Sequence, residues 1–290
     1  MVNRTGFSPM QTKTLAAALA DTRQRLEGKT DTPGLDAQVL LAHVTQKNRA
    51  WVLAHPEHTL TSEETLRLAD AMAQLSAGVP LPYVIGEWEF FALPFKVTPA
   101  VLIPRPETEG LVELAIEWLQ DNPQRALVAE AGTGSGCIAV SLAAHLPEIQ
   151  ITATDISAAA LEVARLNARH HQVGNRTEFL ENDLLAGLAG PYDLICANLP
   201  YIPSEKVRQL PIYLKEPTLA LDGGEDGLRL IERLLAQAVE KLASGGLILM
   251  EIEASLTKEV TTLAQEYFPK AEISTRLDLA GHHRILSIQT

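Results

Sequence analysis

The chain has 290 residues, 46% hydrophobic and 21% charged, an ordinary balance for folded domains and enough length for one large or two modest cores. A net charge of −12 argues against travel along duplex nucleic acid, which draws its affinity from a basic face, and suits a basic protein partner better. No apolar run reaches the roughly 18 residues that span a bilayer, and MVNRTGFSPM lacks an apolar stretch after its arginine, so the expectation is a cytoplasmic protein with neither leader nor membrane segment.

The first 82 residues read as a helical domain. Thr14–Leu26 and Gly34–Val44 carry apolar residues at helical spacing. Ser62 before Glu63-Glu64 reads as an N-cap opening a helix to about Ser76, and Gly78-Val79-Pro80-Leu81-Pro82 breaks it. This domain shows no obvious chemistry, so it is either a substrate-docking module or a packing domain. Residues 83–106 change character. Trp88, Phe90, Phe91, Phe95 and Val97 alternate loosely with polar residues, as in a β-hairpin linker. Prolines 99, 104 and 106 then lead into a helix from Glu107 to about Leu119.

From Arg125 onward strands and helices alternate. Strands are expected at Ala126–Glu130, Ile149–Asp155, Thr177–Leu180, Tyr192–Ala197, Leu247–Ile252, Ala271–Thr275 and Arg284–Ile288. Helices are expected at Gly136–His145, Ser157–His170 and Leu228–Leu242. The class is α/β, Rossmann-like: a mainly parallel sheet of seven strands covered on both faces. Ligands in such sheets bind beyond the carboxyl ends of the strands.

The first of those ends reads Glu130-Ala131-Gly132-Thr133-Gly134-Ser135-Gly136. Glycines allow a sharp turn and close approach of a ligand at a helix N-terminus, although a purely structural turn can look the same. Asp155, about twenty residues on, stands where an acid accepts from ribose hydroxyls. Asp183 and Leu184 suit an adenine amino group and ring, with a loop-capping aspartate as the equal alternative. A carboxylate at Glu130 repels a pyrophosphate and welcomes an ammonium, which favours S-adenosylmethionine over a dinucleotide. Cys137 and Cys196 read as small buried hydrophobes, the histidines show no zinc spacing, and no metal is assigned.

The fourth strand runs into Asn198-Leu199-Pro200-Tyr201, which resembles the (N/D)-P-P-(Y/F) motif of amino methyltransferases. An amide nitrogen is a poor nucleophile because its lone pair is delocalised. If Asn198 Oδ1 and a carbonyl of the 199–200 turn accept its two N–H groups, the lone pair can aim at a methyl group. Tyr201 can stack on the planar acceptor. A turn closing a buried strand is the bland alternative.

Residues 80–113, PLPYVIGEWEFFALPFKVTPAVLIPRPETEGLVE, are similar to the linker and entry segment of the peptide chain release factor glutamine methyltransferases, the HemK/PrmC family. EPTLALDGGEDGL at 216–228 and the C-terminal DLAGHHRIL extend the resemblance. It implies a helical N-terminal domain (1–82), a hairpin linker (83–106) and a methyltransferase domain (107–290). It also implies transfer from S-adenosylmethionine, leaving S-adenosylhomocysteine, to the amide nitrogen N5 of the glutamine in the Gly-Gly-Gln motif of class 1 release factors. By this resemblance Glu130 and Gly132, Thr133, Gly134, Ser135 and Gly136 hold the methionine end of the cofactor and Asp155 the ribose. Asp183 and Leu184 flank the adenine, and Asn198, Leu199, Pro200 and Tyr201 meet cofactor and glutamine, with Asn198, Pro200 and Tyr201 catalytic. Arg105 and Glu107 shape the mouth together with Pro106 and Thr108, an entry turn being the alternative. The expected partner is the release factor alone, with no membrane, no direct nucleic acid and a monomeric enzyme. The chain departs from the family pattern at Leu199 (usually Pro), Glu130 (usually Asp) and Glu253 (usually Gly). Two other readings stay open: a nucleic-acid methyltransferase acting on adenine N6 or guanine N2, and a scaffold of the same fold with impaired catalysis.

Overall fold

The computed structural model describes residues 13–278 and 280–290. The leader-less reading of MVNRTGFSPM therefore lies outside the described residues, as does Leu279 of DLAGHHRIL. Two compact units divide between Ile85 and Gly86.

The first unit is helical: α1 (Leu15–Leu26), α2 (Pro33–Thr45), α3 (Arg49–Ala54), α4 (Ser62–Ser76) and α5 (Leu81–Ile85). Thr14 and Asn48 cap α1 and α3 by accepting from Ala17 N and Trp51 N. The cap of α4 is Thr61 rather than Ser62. Glu64 Oε2 accepts from Thr61 N at 2.7 Å while Thr61 Oγ1 accepts from Glu64 N at 3.2 Å, and this reciprocal pair requires the acid at the third helical position. The helix α4 stops at Ser76, and Pro80 opens α5, its carbonyl accepting from Tyr83 N and Val84 N. Leu15, Ala18, Leu41, Val52 and Leu60 form one buried cluster, and Leu40, Ala71, Met72 and Leu81 a second.

The second unit opens with a hairpin of β1 (Glu87–Phe90) and β2 (Leu93–Lys96). Its two turn residues, Phe91 and Ala92, have φ of 52° and 56°, the left-handed pair that matches strand twist. No glycine eases that turn; Glu109 Oε1 accepting from Phe91 N and the buried Phe90 and Phe95 hold it. There follow α6 (Pro106–Asp121), β3 (Leu127–Ala131), α7 (Cys137–His145), β4 (Gln150–Asp155), α8 (Ala158–His170), β5 (Thr177–Glu181) and β6 (Tyr192–Ala197). A short excursion, β7 (Ile202–Pro203), α9 (Ser204–Val207) and β8 (Asp222–Gly224), precedes α10 (Arg229–Lys241), β9 (Leu242–Glu251), α11 (Thr257–Tyr267), β10 (Glu272–Leu277) and β11 (His283–Gln289).

The main sheet runs β10-β11-β9-β6-β3-β4-β5. Five neighbouring strands are parallel, and β11 is antiparallel to both β9 and β10. Strand alternation divides the core. Val128, Leu194 and Leu249 pack with Leu111, Leu142 and Leu161, whereas Ala129, Ile195 and Ile248 pack with Ile231, Leu234 and Val260 on the other face. From β3 the chain moves outward through β4 and β5, then returns to the opposite side with β6. This reversal opens a crevice at the carboxyl ends of β3 and β6. Among the described residues no helix is long and apolar enough to cross a membrane.

Candidate active site

A cavity of about 380 Å³ occupies that crevice. Glu130, Gly132, Thr133, Gly134 and Ser135 reach it from the end of β3, Asp155 from β4, and Asp183 and Leu184 from the loop after β5. Asn198, Leu199 and Pro200 reach it from the end of β6, and Arg105 and Thr108 from the start of α6. Four expected residues do not line it. Gly136 packs α7 on α8, where an added Cβ would stand 3.1 Å from Ala164 Cβ. Pro106 and Glu107 are exposed, and Tyr201 does not line the cavity.

Glu130 is 1% exposed, and its Oε2 accepts from Thr133 Oγ1 at 2.7 Å and from Ala139 N at 3.1 Å. Burial pushes its carboxyl up to about 8 against the pull of those two bonds, and the Asp155 charge adds to the rise. Asp155 is pinned through Oδ2 to Gly134 N at 2.9 Å and through Oδ1 to Ser157 N at 2.8 Å. Leu184 sits in the left-handed region (φ 54°), its carbonyl accepting from Thr154 Oγ1 and Asn182 Nδ2, both at 2.9 Å. Asp183 is paired with the Arg233 guanidinium of α10. A buried carboxylate, a pinned second carboxylate and an apolar wall of Leu184 and Ile156 suit a nucleoside carrying an ammonium group; they do not suit a pyrophosphate.

The opposite wall is polar and tightly knit. Asn198 Nδ2 donates to Glu251 Oε2 at 2.9 Å and to Thr108 Oγ1 at 3.0 Å, and Thr108 Oγ1 donates to the same Glu251 oxygen at 2.6 Å. Tyr201 Oη donates to Glu251 Oε1 at 3.4 Å. Burial raises the Glu251 carboxyl while the Thr108 bond and the Arg284 charge draw it down; burial and Glu251 together lift the Tyr201 phenol above its usual range. Burial likewise pushes the Cys137 thiol up to about 12. Glu253 pairs with Arg284 at 3.8 Å, away from the cavity lining.

Two long connections close the mouth. Glu216, 5% exposed, accepts from Ile103 N at 3.1 Å and from Arg105 Nη2 at 2.5 Å, so the residues 101–109 and 216–228 singled out from the sequence clasp each other. The glycines of the second segment lie on the acceptor turn: a Cβ on Gly223 would stand 2.8 Å from Pro200 O. Glu251 and Arg233 were not singled out from the sequence, and Glu216 only as the first residue of the 216–228 segment. A visible signal existed for Glu251, a charge directly following the apolar run Leu247–Met250 at a strand end. Arg233 acts through a partner far away in the chain and left no local mark, and the role of Glu216 likewise depends on a distant partner.

The family model for the PrmC N-terminal domain matches residues 17–86, and that for the methyltransferase small domain matches residues 112–212. The chain is 42% identical to the release factor glutamine methyltransferase of Moorella thermoacetica, covering 93% of this chain and 96% of that one. It is 39% identical to the protein of the same name from Coxiella burnetii, covering 91% and 94%. Among solved structures, the catalytic domain of hMettl16 in complex with a 3′UTR hairpin has a TM-score of 0.54 at 16% identity, covering 78% of this chain and 81% of that one. That likeness is one of fold.

Proposed function

The chain belongs to the release factor glutamine methyltransferases, and on that premise we propose that it moves a methyl group from S-adenosylmethionine to the side-chain amide N5 of the glutamine in the Gly-Gly-Gln motif of class 1 release factors. One observation carries the reading: Asn198 and Pro200 share a single cavity with Glu130 and Asp155. A nitrogen acceptor and an ammonium-bearing nucleoside can thus meet within one cavity.

The cofactor supplies a methyl group on a positively charged sulfur. Glu130 holds its ammonium, Asp155 its ribose hydroxyls, and Leu184 with Asp183 the adenine. Asn198 Oδ1 and a carbonyl of the 199–200 turn accept the two N–H groups of the glutamine amide and aim its lone pair. No strong base is needed beforehand, because the nitrogen gives up its proton readily once methylated. The rate gain comes from holding the two reacting groups in register and from excluding water. Tyr201, anchored on Glu251, steadies the turn. The helical unit before residue 86 docks the release factor, and the reaction belongs to the cytoplasm.

The test incubates the protein with radiolabelled S-adenosylmethionine and a purified release factor, wild type or with the Gly-Gly-Gln glutamine changed to alanine. Label on the wild type alone is expected; equal labelling of both would overturn the glutamine assignment.

A further inference from the structure

Asn198 Nδ2 donates to both Glu251 Oε2 and Thr108 Oγ1, and the threonine hydroxyl closes the ring by donating to the same carboxylate oxygen. The three side chains come from separate elements: the residue after β6, the last residue of β9 and the first turn of α6. Strands β6 and β9 are parallel neighbours with Ala197 opposite Met250, so Asn198 and Glu251 are the next pair beyond the paired ends. Thr108 is 2% exposed and Glu251 3%, leaving little room for water to replace either partner.

An asparagine amide has two faces of nearly equal shape and opposite hydrogen-bonding character, and its neighbours decide between them. A carboxylate only accepts. Turning the Asn198 amide over would set Oδ1 against Glu251 Oε2 and forfeit two bonds, one of them to a charged group. Among the described residues nothing donates to Asn198 Oδ1. We infer that Glu251 and Thr108 are positioning residues that lock the Asn198 amide with Oδ1 facing the substrate nitrogen. The inference rests on the proposed reaction and adds two residues that act only through a third.

The experiment measures single-turnover methyl transfer, the KM for release factor and the affinity for S-adenosylmethionine. The proteins are wild type, E251A, E251Q and T108V, with E251A and T108V also made in the N198A background. E251A is expected to slow transfer about 30-fold and T108V about tenfold, each with cofactor affinity changed by less than about threefold. E251Q is expected to recover about tenfold over E251A, because Gln keeps an acceptor for Asn198 and can turn its Nε2 toward the Tyr201 hydroxyl. With N198A already present, E251A and T108V should cost nothing more, since residues that act as a unit are non-additive. Fully multiplied losses in that background, or losses confined to KM and cofactor affinity, would overturn the inference. Where N198A leaves no measurable transfer, 15N NMR of the Asn198 side-chain amide decides. Its protons should exchange about tenfold more slowly in wild type than in E251A or T108V, and equal exchange would overturn the inference. Wild-type protein that methylates no release factor would instead strike at the proposed reaction, leaving the NMR comparison to judge the amide.

Discussion

Leu199 Cδ2 stands over Gly132, 2.9 Å from the point that a Cβ at position 132 would occupy. The residue that departs from the family's usual proline thus packs directly on the first glycine of the cofactor loop. Gly132 also has a φ of +74°, which costs an alanine about 1–2 kcal/mol. G132A is therefore expected to weaken S-adenosylmethionine binding at least tenfold by calorimetry. The double variant G132A/L199A should bind more tightly than G132A alone, because removing the leucine relieves the collision and leaves only the backbone strain. Equal weakness in the two would show that the Leu199 contact is irrelevant.

Glu130 makes the cofactor site sensitive to pH. Its folded carboxyl is pushed up to about 8 from an ordinary value of 4.5, so the folded state holds the proton more tightly than the unfolded chain does. Its stabilising contribution is fully present below pH 4.5 and is lost as pH rises toward 8. A ligand ammonium reverses the preference, since it favours the ionised acid. Cofactor binding is therefore expected to release close to one proton per site at pH 6 and far less at pH 9, read by calorimetry in buffers of different ionisation enthalpy. E130Q should abolish that release, weaken binding and raise Tm at pH 8.5. Unchanged proton release in E130Q would remove Glu130 from the ammonium site.

What could be read from the sequence follows from how far each determinant reaches. The glycine loop, Asp155 and Asn198-Leu199-Pro200-Tyr201 are marked by residue types at strand ends, and apolar alternation exposes the strands themselves. Glu216 and Ile103 meet across 113 positions and Thr108 and Glu251 across 143, and no local pattern records such a meeting. The α4 cap slipped by one residue because Ser62 is in isolation the better cap than Thr61; the reach of Glu64 reverses that order. Tyr201 was expected as a stacking platform, but the fold turns its hydroxyl toward Glu251 and keeps the ring out of the cavity lining.

Arg105 and Glu216 make a one-sided dependence at the mouth. Glu216 is buried whereas the Arg105 side chain is 34% exposed, so removing the arginine strands a carboxylate and removing the glutamate returns an arginine to water. R105A is expected to lower stability by about 2–3 kcal/mol in urea, and E216Q by less, because Gln still accepts from Ile103 N. R105A/E216Q should be more stable than R105A alone at pH 7. If R105A proves neutral, the clasp contributes nothing to the fold.

Gly227 separates acceptor geometry from cofactor binding. A Cβ there would lie 2.3 Å from the backbone carbonyl Tyr201 O, at a φ of +82°, so G227A must displace either its own loop or the 198–201 turn. The carboxylates assigned to the cofactor come from β3, β4 and the loop after β5, and stay in place. G227A is therefore expected to slow methyl transfer at least a hundredfold, because a shift of about 1 Å in a reacting group costs that much, with S-adenosylmethionine affinity held within about threefold. Gly174 supplies the control: an added Cβ meets nothing within 4 Å, and G174A should leave both quantities unaltered. Loss of cofactor affinity in step with the loss of transfer would mean that Gly227 supports the cavity as a whole and has no separate hold on the acceptor turn.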